Sequence, residues 1–168
     1  NLIWEELNFY TKPNKLLAAK DFGGVVSRTN SHAINLDYAY PTKYRNLSNI
    51  LVVNRKLFDK DILNAFSNIH ECCEGCLLAN TDITKVRYYH DKEYYKPHTD
   101  LAYQFLAFSY FYKEPKKYSG GELLFPKHDY EYPCENNSMI IFPGWVEHGV
   151  KEAVSYTHLT LPTTGDVE

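Results

Sequence analysis

The fold of this chain is decided by two short sequences, KPHTD at residues 96–100 and FPGWVEHG at residues 142–149. Together they supply two imidazoles, His98 and His148, and one carboxylate, Asp100. Two histidines and a carboxylate are the ligand set of a facial triad, which holds ferrous iron on one side and leaves coordination positions open. The two sequences therefore predict a metal site whose ligands are far apart in the chain.

The spacing of His98 and Asp100 has a physical reason. Residues i and i+2 of an extended strand point to the same face, so both side chains can turn towards one interior while Thr99 points away. Pro97 pushes the residue before it to extended geometry. His148 must then come from a strand that folds back beside the first one.

A histidine two residues before an aspartate is common, and most histidines are surface or structural groups. The context here is richer, because several further segments follow in a fixed order. They are a tyrosine-rich segment at 86–89, an aromatic run at 105–112, the sequence GGEL at 120–123 and the sequence IIFPG at 140–144.

This order resembles the Fe(II)- and 2-oxoglutarate-dependent dioxygenases, in particular their prolyl 4-hydroxylase-like branch, over about residues 84–154. The resemblance implies a mainly β fold with flanking helices, a double-stranded β-helix of the jelly-roll or cupin-like kind, with iron inside one mouth. We expect a single domain at 1–154, in which residues 1–80 support a barrel formed by residues 84–154.

The resemblance also implies the chemistry. His98, Asp100 and His148 would be the catalytic metal ligands, and the cofactors would be Fe(II), 2-oxoglutarate and O2, with ascorbate as a further candidate. The implied reaction is hydroxylation of an unactivated C–H bond with release of succinate and CO2. A peptidyl proline or another protein side chain is the first candidate substrate, and a small molecule is the other.

Co-substrate contacts follow from the same resemblance. In that family a tyrosine nine or ten residues before the first metal histidine binds 2-oxoglutarate, and Tyr89 and Tyr88 occupy those offsets. Alternation along a strand lets only one of them face inwards. Tyr110 is a further candidate, although Phe108 and Tyr112 share its face of the predicted strand.

The C-terminal tail departs from the family pattern. The family carries a basic residue, usually arginine, about ten positions after the distal histidine, where it pairs with the far carboxylate of 2-oxoglutarate. This chain has His158 there, and no Arg or Lys follows Lys151. Residues 155–164 resemble a peptide translated from sequencing-adaptor DNA, so residues 155–168 are expected to be an atypical tail. Two interpretations of the tail stay open. It is either non-native, with the natural last strand replaced or missing and co-substrate binding impaired, or it is a genuine divergent C-terminus.

One helix is predicted at about residues 58–73. Its apolar residues recur at steps of four, four, three and four, which places them on one face, and they are Phe58, Ile62, Phe66, Ile69 and Cys73. Asp59 is a suitable N-cap. We expect this helix to support the outer face of the barrel.

Composition limits the function classes. The chain has 168 residues, a net charge of -3 and no basic run, so a nucleic-acid partner is not expected. Cys72, Cys73, Cys76 and Cys134 lack the spacing of a zinc ribbon and are interpreted as free thiols of a soluble intracellular protein. No apolar stretch is long enough to span a bilayer, so no membrane partner is expected.

Two alternatives to an oxygenase stay open. One is a metal-binding cupin-like module without oxygenase activity, which the missing basic residue favours. The other is a zinc-dependent hydrolase, because two imidazoles and a carboxylate also suit catalytic zinc. No HExxH sequence accompanies the ligands, although Glu147 is adjacent to His148.

Overall fold

The computed structural model describes residues 2–12, 17–18, 27–69, 71, 74, 81–112, 114, 116, 118–154 and 158–166, with side chains at all of these positions except 17, 58, 81, 82, 104 and 158–166. The described α-helices are α1 (Leu2–Tyr10), α2 (Leu36–Ala39), α3 (Asn49–Arg55) and α4 (Lys60–Ser67). The described strands are β1 (Leu17–Ala18), β2 (His32–Asn35), β3 (Thr81–Tyr89), β4 (Tyr95–His98), β5 (Tyr103–Phe111), β6 (Leu123–Phe125), β7 (Tyr130–Tyr132), β8 (Ser138–Pro143), β9 (His148–Val150) and β10 (His158–Asp166).

The strands form two antiparallel sheets. Six strands pair in the order β1-β2-β3-β10-β5-β8, and four pair in the order β4-β9-β6-β7. The two sheets share one core, to which the larger sheet contributes Tyr89, Leu106, Tyr110 and Phe142 and the smaller sheet Leu123, Phe125 and Val150. Neither sheet closes on itself, so the molecule is two facing sheets with an interior between them, as expected from the sequence.

Alternation along β3 separates the interior from the helical layer. Val86 is buried in a second core with residues of α1, α2 and α3, and Tyr88 packs against that core. The intervening residues Lys85, Arg87 and Tyr89 line a cavity between the sheets. One strand therefore serves both layers, because successive side chains point to opposite faces.

The N-terminal helices pack on the outer face of the six-stranded sheet. α1 buries Leu7 and Tyr10. Ser48 caps α3 by accepting a hydrogen bond from the Leu51 N–H at 3.1 Å. No described helix combines the length and apolar character needed to cross a membrane.

The helix predicted at about 58–73 is shorter in the structure. α4 spans Lys60–Ser67, with Asp59 at the N-cap position but no side-chain capping hydrogen bond. Leu63 packs against Phe105 and Ala107 of β5, so this helix does support the sheet. Ile69, placed on the buried face by periodicity, is 70% exposed because it lies beyond the end of the helix. The Phe58 side chain and Cys73 lie outside the described residues.

The strand β10 takes the place of the last barrel strand. It pairs with β3 on one side and with β5 on the other, and His158 lies opposite Tyr89 in the first of these ladders. The origin of the tail stays a prediction.

Candidate metal centre and cavity

The structure brings His98, Asp100 and His148 together. His98 lies at the end of β4 and His148 at the start of β9, and the two residues are direct partners in the ladder between these strands. Nε2 of each imidazole lies 3.7 Å from Asp100 Oδ2. Three residues from two distant parts of the sequence therefore each direct one ligand atom to a common point.

Backbone carbonyls fix the orientation of both imidazoles. Nδ1 of His98 lies 2.8 Å from the Lys96 carbonyl oxygen, and Nδ1 of His148 lies 3.0 Å from the Val146 carbonyl oxygen. A carbonyl oxygen only accepts, so Nδ1 donates its proton in each case and the Nε2 lone pair faces Asp100. This is the usual outer support of a metal-binding histidine.

Electrostatics favour the ionised form of Asp100 and the neutral form of His148. Burial raises the pKa of Asp100, but the neighbouring His98 and His148 and the Lys85 charge outweigh it, and the net pKa is lowered. Burial lowers the pKa of His148 and favours the neutral imidazole. A carboxylate and neutral imidazoles are the protonation states that metal binding requires.

The residues fit a divalent metal ion. Nε2 of His98 is buried and makes no hydrogen bond to the described residues, which is costly unless another group satisfies it. Ligand atoms held about 2.1 Å from one ion in adjacent positions lie roughly 3 Å apart, and small side-chain movements would bring the 3.7 Å separations to that value. His98, Asp100 and His148 would therefore hold the ion.

Next to the triad lies a cavity of about 120 Å³ between the two sheets. This volume exceeds the space of a single water several-fold. Besides the triad, its wall carries two cations and several aromatic rings, namely Lys85, Arg87, Tyr89, Tyr95, Tyr103, Phe108 and Tyr110. Asp100 is the only acidic residue among the described lining residues, so the cavity is electropositive and suits a small anion.

The predicted tyrosines occupy different places. Tyr89 and Tyr110 line the cavity and are each 1% exposed, whereas Tyr88 faces the helical layer. The Tyr110 hydroxyl is buried without a hydrogen bond to the described residues, and burial raises its pKa well above the ordinary value. The side chain of His158 lies outside the described residues, so its role stays a prediction.

Both cationic residues of the cavity were missed by the sequence analysis. Lys85 and Arg87 share a strand face with Tyr89, and alternation from Tyr89 would have predicted them. Arg87 is 7% exposed, donates a hydrogen bond of 2.6 Å to the Ser31 hydroxyl and stacks on the Tyr95 ring. The Tyr95 ring in turn stacks on His98, with ring centres 4.1 Å apart.

A second group of two histidines and a carboxylate lies outside this cavity. Oxygens of the buried Glu93 carboxylate lie 2.8 Å from His32 Nδ1 and 3.2 Å from His90 Nδ1. Glu93 also accepts the backbone N–H of His90. Because each carboxylate oxygen already contacts an imidazole, this group supports the turn between β3 and β4.

The facing sheets define a fold of the double-stranded β-helix class, and the triad is a candidate metal centre within it. A family model, described as the 2OG-Fe(II) oxygenase superfamily, matches residues 84–161. The matched segment is a little under half of the chain, and it is similar to a superfamily whose description specifies Fe(II) and 2-oxoglutarate (2OG). This match agrees with the predicted family and the predicted class of enzyme.

Solved structures agree with the fold. A prolyl-4-hydroxylase from Pseudomonas putida superposes with a TM-score of 0.70 at 13% identity, covering 99% of this chain and 86% of that one. The viral collagen prolyl hydroxylase from Paramecium bursaria Chlorella virus-1 superposes with a TM-score of 0.65 at 13% identity, covering 99% and 90%. No curated protein sequence matches this chain. The predicted fold class is confirmed, and at these identities the likeness concerns the fold.

Proposed function

We propose that this protein is a hydroxylase that inserts one oxygen atom of O2 into an unactivated C–H bond of a protein side chain, with conversion of 2OG to succinate and CO2. The observation that carries the proposal is the convergence of His98, Asp100 and His148 beside an electropositive cavity. A facial triad leaves open positions for a co-substrate and oxygen, and the adjoining cavity suits the dianionic 2OG.

The residues of the chain have distinct tasks in this reaction. Bound iron supplies the oxidising chemistry, and the protein supplies ligands, orientation and a dry cavity. His98, Asp100 and His148 hold the ion, while Tyr89 and Tyr110 are proposed to donate hydrogen bonds to bound 2OG. Their pKa values are raised by burial, so both phenols keep their protons and act as donors.

An apolar rim beside the metal centre supports a protein substrate. Leu101 follows Asp100 directly and is 78% exposed, and Trp145 precedes His148 by three positions and is 56% exposed. Contiguous exposed apolar surface can mark a protein-binding site, and Leu101 and Trp145 each follow a residue of the hydrogen-bonded pair Asp100 and Gly144. A peptidyl proline is the first candidate, because the structures of similar fold carry the names of prolyl hydroxylases.

Succinate formation tests the proposal. The iron-loaded protein is incubated with 2OG, O2, ascorbate and proline-containing peptides, and succinate and peptide mass are measured. The proposal requires 2OG-dependent succinate and a peptide heavier by one oxygen atom, both absent in His148→Ala. Ascorbate is expected to sustain turnover by keeping the iron ferrous. An iron-loaded wild-type protein that never forms succinate would contradict an oxygenase and favour the metal-binding module.

The hydrolase alternative has its own discriminating variant. Glu147 is not among the residues that line the cavity, so the described lining offers no glutamate as general base. A hydrolase that depends on Glu147 would lose activity in Glu147→Gln, whereas the proposed oxygenase should keep most of its succinate formation.

A further inference from the structure

Any 2OG-binding site must bind a second carboxylate far from the metal. The metal end of 2OG is its 2-oxo acid group, and the other end carries a carboxylate at C5. Burial of a carboxylate is costly unless a cation or several hydrogen-bond donors meet it. The part of this chain after Lys151 contains no Lys or Arg, whereas the cavity wall carries Lys85 and Arg87.

We propose that Arg87, on β3, binds the C5 carboxylate of 2OG and thereby selects a dicarboxylic over a monocarboxylic 2-oxo acid. The inference rests on the proposed function, because it takes 2OG as the ligand of the cavity. It assigns the missing cation to the strand that also carries Tyr89, two residues further along the same face.

The position of Arg87 relative to the metal centre supports the assignment. Its guanidinium carbon lies 4.8 Å from the centre of the Tyr95 ring, and that ring stacks on His98. Two stacking contacts therefore separate the guanidinium from a metal-binding imidazole. In 2OG, three carbon–carbon bonds of about 1.5 Å separate the keto carbon from the C5 carboxylate carbon. The distance between the two charged ends of 2OG is therefore short, as is the distance between the Arg87 guanidinium and the metal centre.

The immediate surroundings of Arg87 suit a carboxylate. Ser31 accepts one of its N–H groups at 2.6 Å and fixes the guanidinium at the cavity wall. The N–H donors of a planar guanidinium form a fork that matches the two oxygens of a carboxylate. The Tyr89 phenol lies on the same face of the strand, so one carboxylate could accept hydrogen bonds from both side chains.

Lys85 is the other cation of the cavity and lies on the same face of β3, two positions before Arg87. An ammonium is a point charge without the fork geometry of a guanidinium, so it matches the two oxygens of a carboxylate less well. This makes Lys85→Met a matched control for the loss of a cavity cation.

The test compares two ligands that differ at C5 alone. 2OG and 2-oxopentanoate have the same chain length, but 2-oxopentanoate carries a methyl group in place of the C5 carboxylate. Dissociation constants are measured anaerobically by calorimetry on the Fe(II)-loaded wild type, Arg87→Gln and Lys85→Met. Iron affinity is measured separately for each protein.

In wild type we expect 2OG to bind much more tightly than 2-oxopentanoate. Arg87→Gln should weaken 2OG binding by roughly 10- to 100-fold, the loss typical of a charge-assisted hydrogen-bond pair, and leave 2-oxopentanoate binding unchanged. Lys85→Met should change both ligands by the same factor. The preference is the ratio of the dissociation constants for 2-oxopentanoate and 2OG. A wild-type ratio in Arg87→Gln would overturn the inference, and so would a ratio that falls in Lys85→Met but not in Arg87→Gln.

The proposed function and the role of Arg87 are contradicted by different results. A wild-type protein that binds iron but neither ligand contradicts the proposed function. A wild-type protein that prefers 2OG, with a preference that survives in Arg87→Gln, contradicts the role of Arg87 alone. If Arg87→Gln does not fold, Arg87→Lys keeps the buried charge and removes the fork. A 2OG affinity of Arg87→Lys equal to wild type would then overturn the inference.

Discussion

Gly144 connects the two halves of the metal centre, and Gly144→Ala is expected to separate them. The Gly144 carbonyl oxygen accepts the Asp100 N–H at 2.9 Å, and the same turn leads to His148. A Cβ on residue 144 would lie 2.6 Å from the Asp100 carbonyl oxygen and would also strike the Tyr103 carbonyl oxygen. Both obstacles are backbone atoms, which cannot rotate away.

The required movement can be read from the structure. Ordinary contact begins at 3.4 Å, so the Asp100 segment and the turn must move apart by about 0.8 Å, whereas a metal site tolerates roughly 0.2 Å in its ligand distances. We expect iron affinity to fall by roughly 10- to 100-fold, as when the outer support of a metal ligand is lost. Overpacking should also destabilise the fold by about 1–3 kcal/mol.

Two measurements check this prediction. Anaerobic Fe(II) titration gives the affinity, and urea unfolding gives the stability. Trp145→Ala is the control, because it alters the same turn at an exposed side chain and should bind iron like wild type. Wild-type iron affinity in Gly144→Ala would refute the claim that close backbone packing at this turn sets the triad geometry.

Three further predictions concern other parts of the molecule. Glu6 accepts hydrogen bonds from the Asn49 and Ile50 N–H groups at the start of α3. Glu6→Gln should therefore lower the free energy of unfolding by about 1–2 kcal/mol. The control Glu5→Gln, at an exposed position, should change it little. Burial raises the pKa of the Cys134 thiol to about 11, so at pH 8 only roughly one thiol in a thousand is ionised; mass mapping should find Cys134 unalkylated in the native protein and alkylated after unfolding. Trp145→Ala should raise the KM for a peptide substrate without changing 2OG affinity, and an unchanged KM would remove Trp145 from the substrate site.

Part of the triad geometry is local and could therefore be predicted from sequence. The spacing of His98 and Asp100 places both side chains on one strand face, and the turn at Pro143 and Gly144 is encoded beside His148. These features depend on backbone rules that hold in any strand. The order of the remaining segments then fixed the fold class.

The cavity wall was harder to predict, because it depends on which face of β3 turns inwards. The offsets of Tyr88 and Tyr89 left that choice open, and the packing of Val86 and Tyr88 against the helices decides it. Arg87 lies on the same face of β3 as Tyr89, so it could be placed in the cavity wall only once Tyr89 was known to face inwards.

Helix ends depend on interactions that periodicity does not contain. The apolar repeat continued to Cys73, but α4 ends at Ser67, and the Asn68 N–H bonds back to the Asn64 carbonyl oxygen. Ile69 then leaves the packed face. The repeat predicted the existence of the helix and its side of the sheet, and tertiary packing set its length.

The central claim is that His98, Asp100 and His148 hold iron that 2OG then chelates. Its most direct test is an anaerobic titration of the protein with Fe(II) and then 2OG, followed by the visible charge-transfer absorption of the chelate, with His98→Ala as the matched variant. The account predicts absorption that appears only when both components are present and is absent in His98→Ala. Iron binding without this absorption in wild type, or the same absorption in His98→Ala, would contradict it.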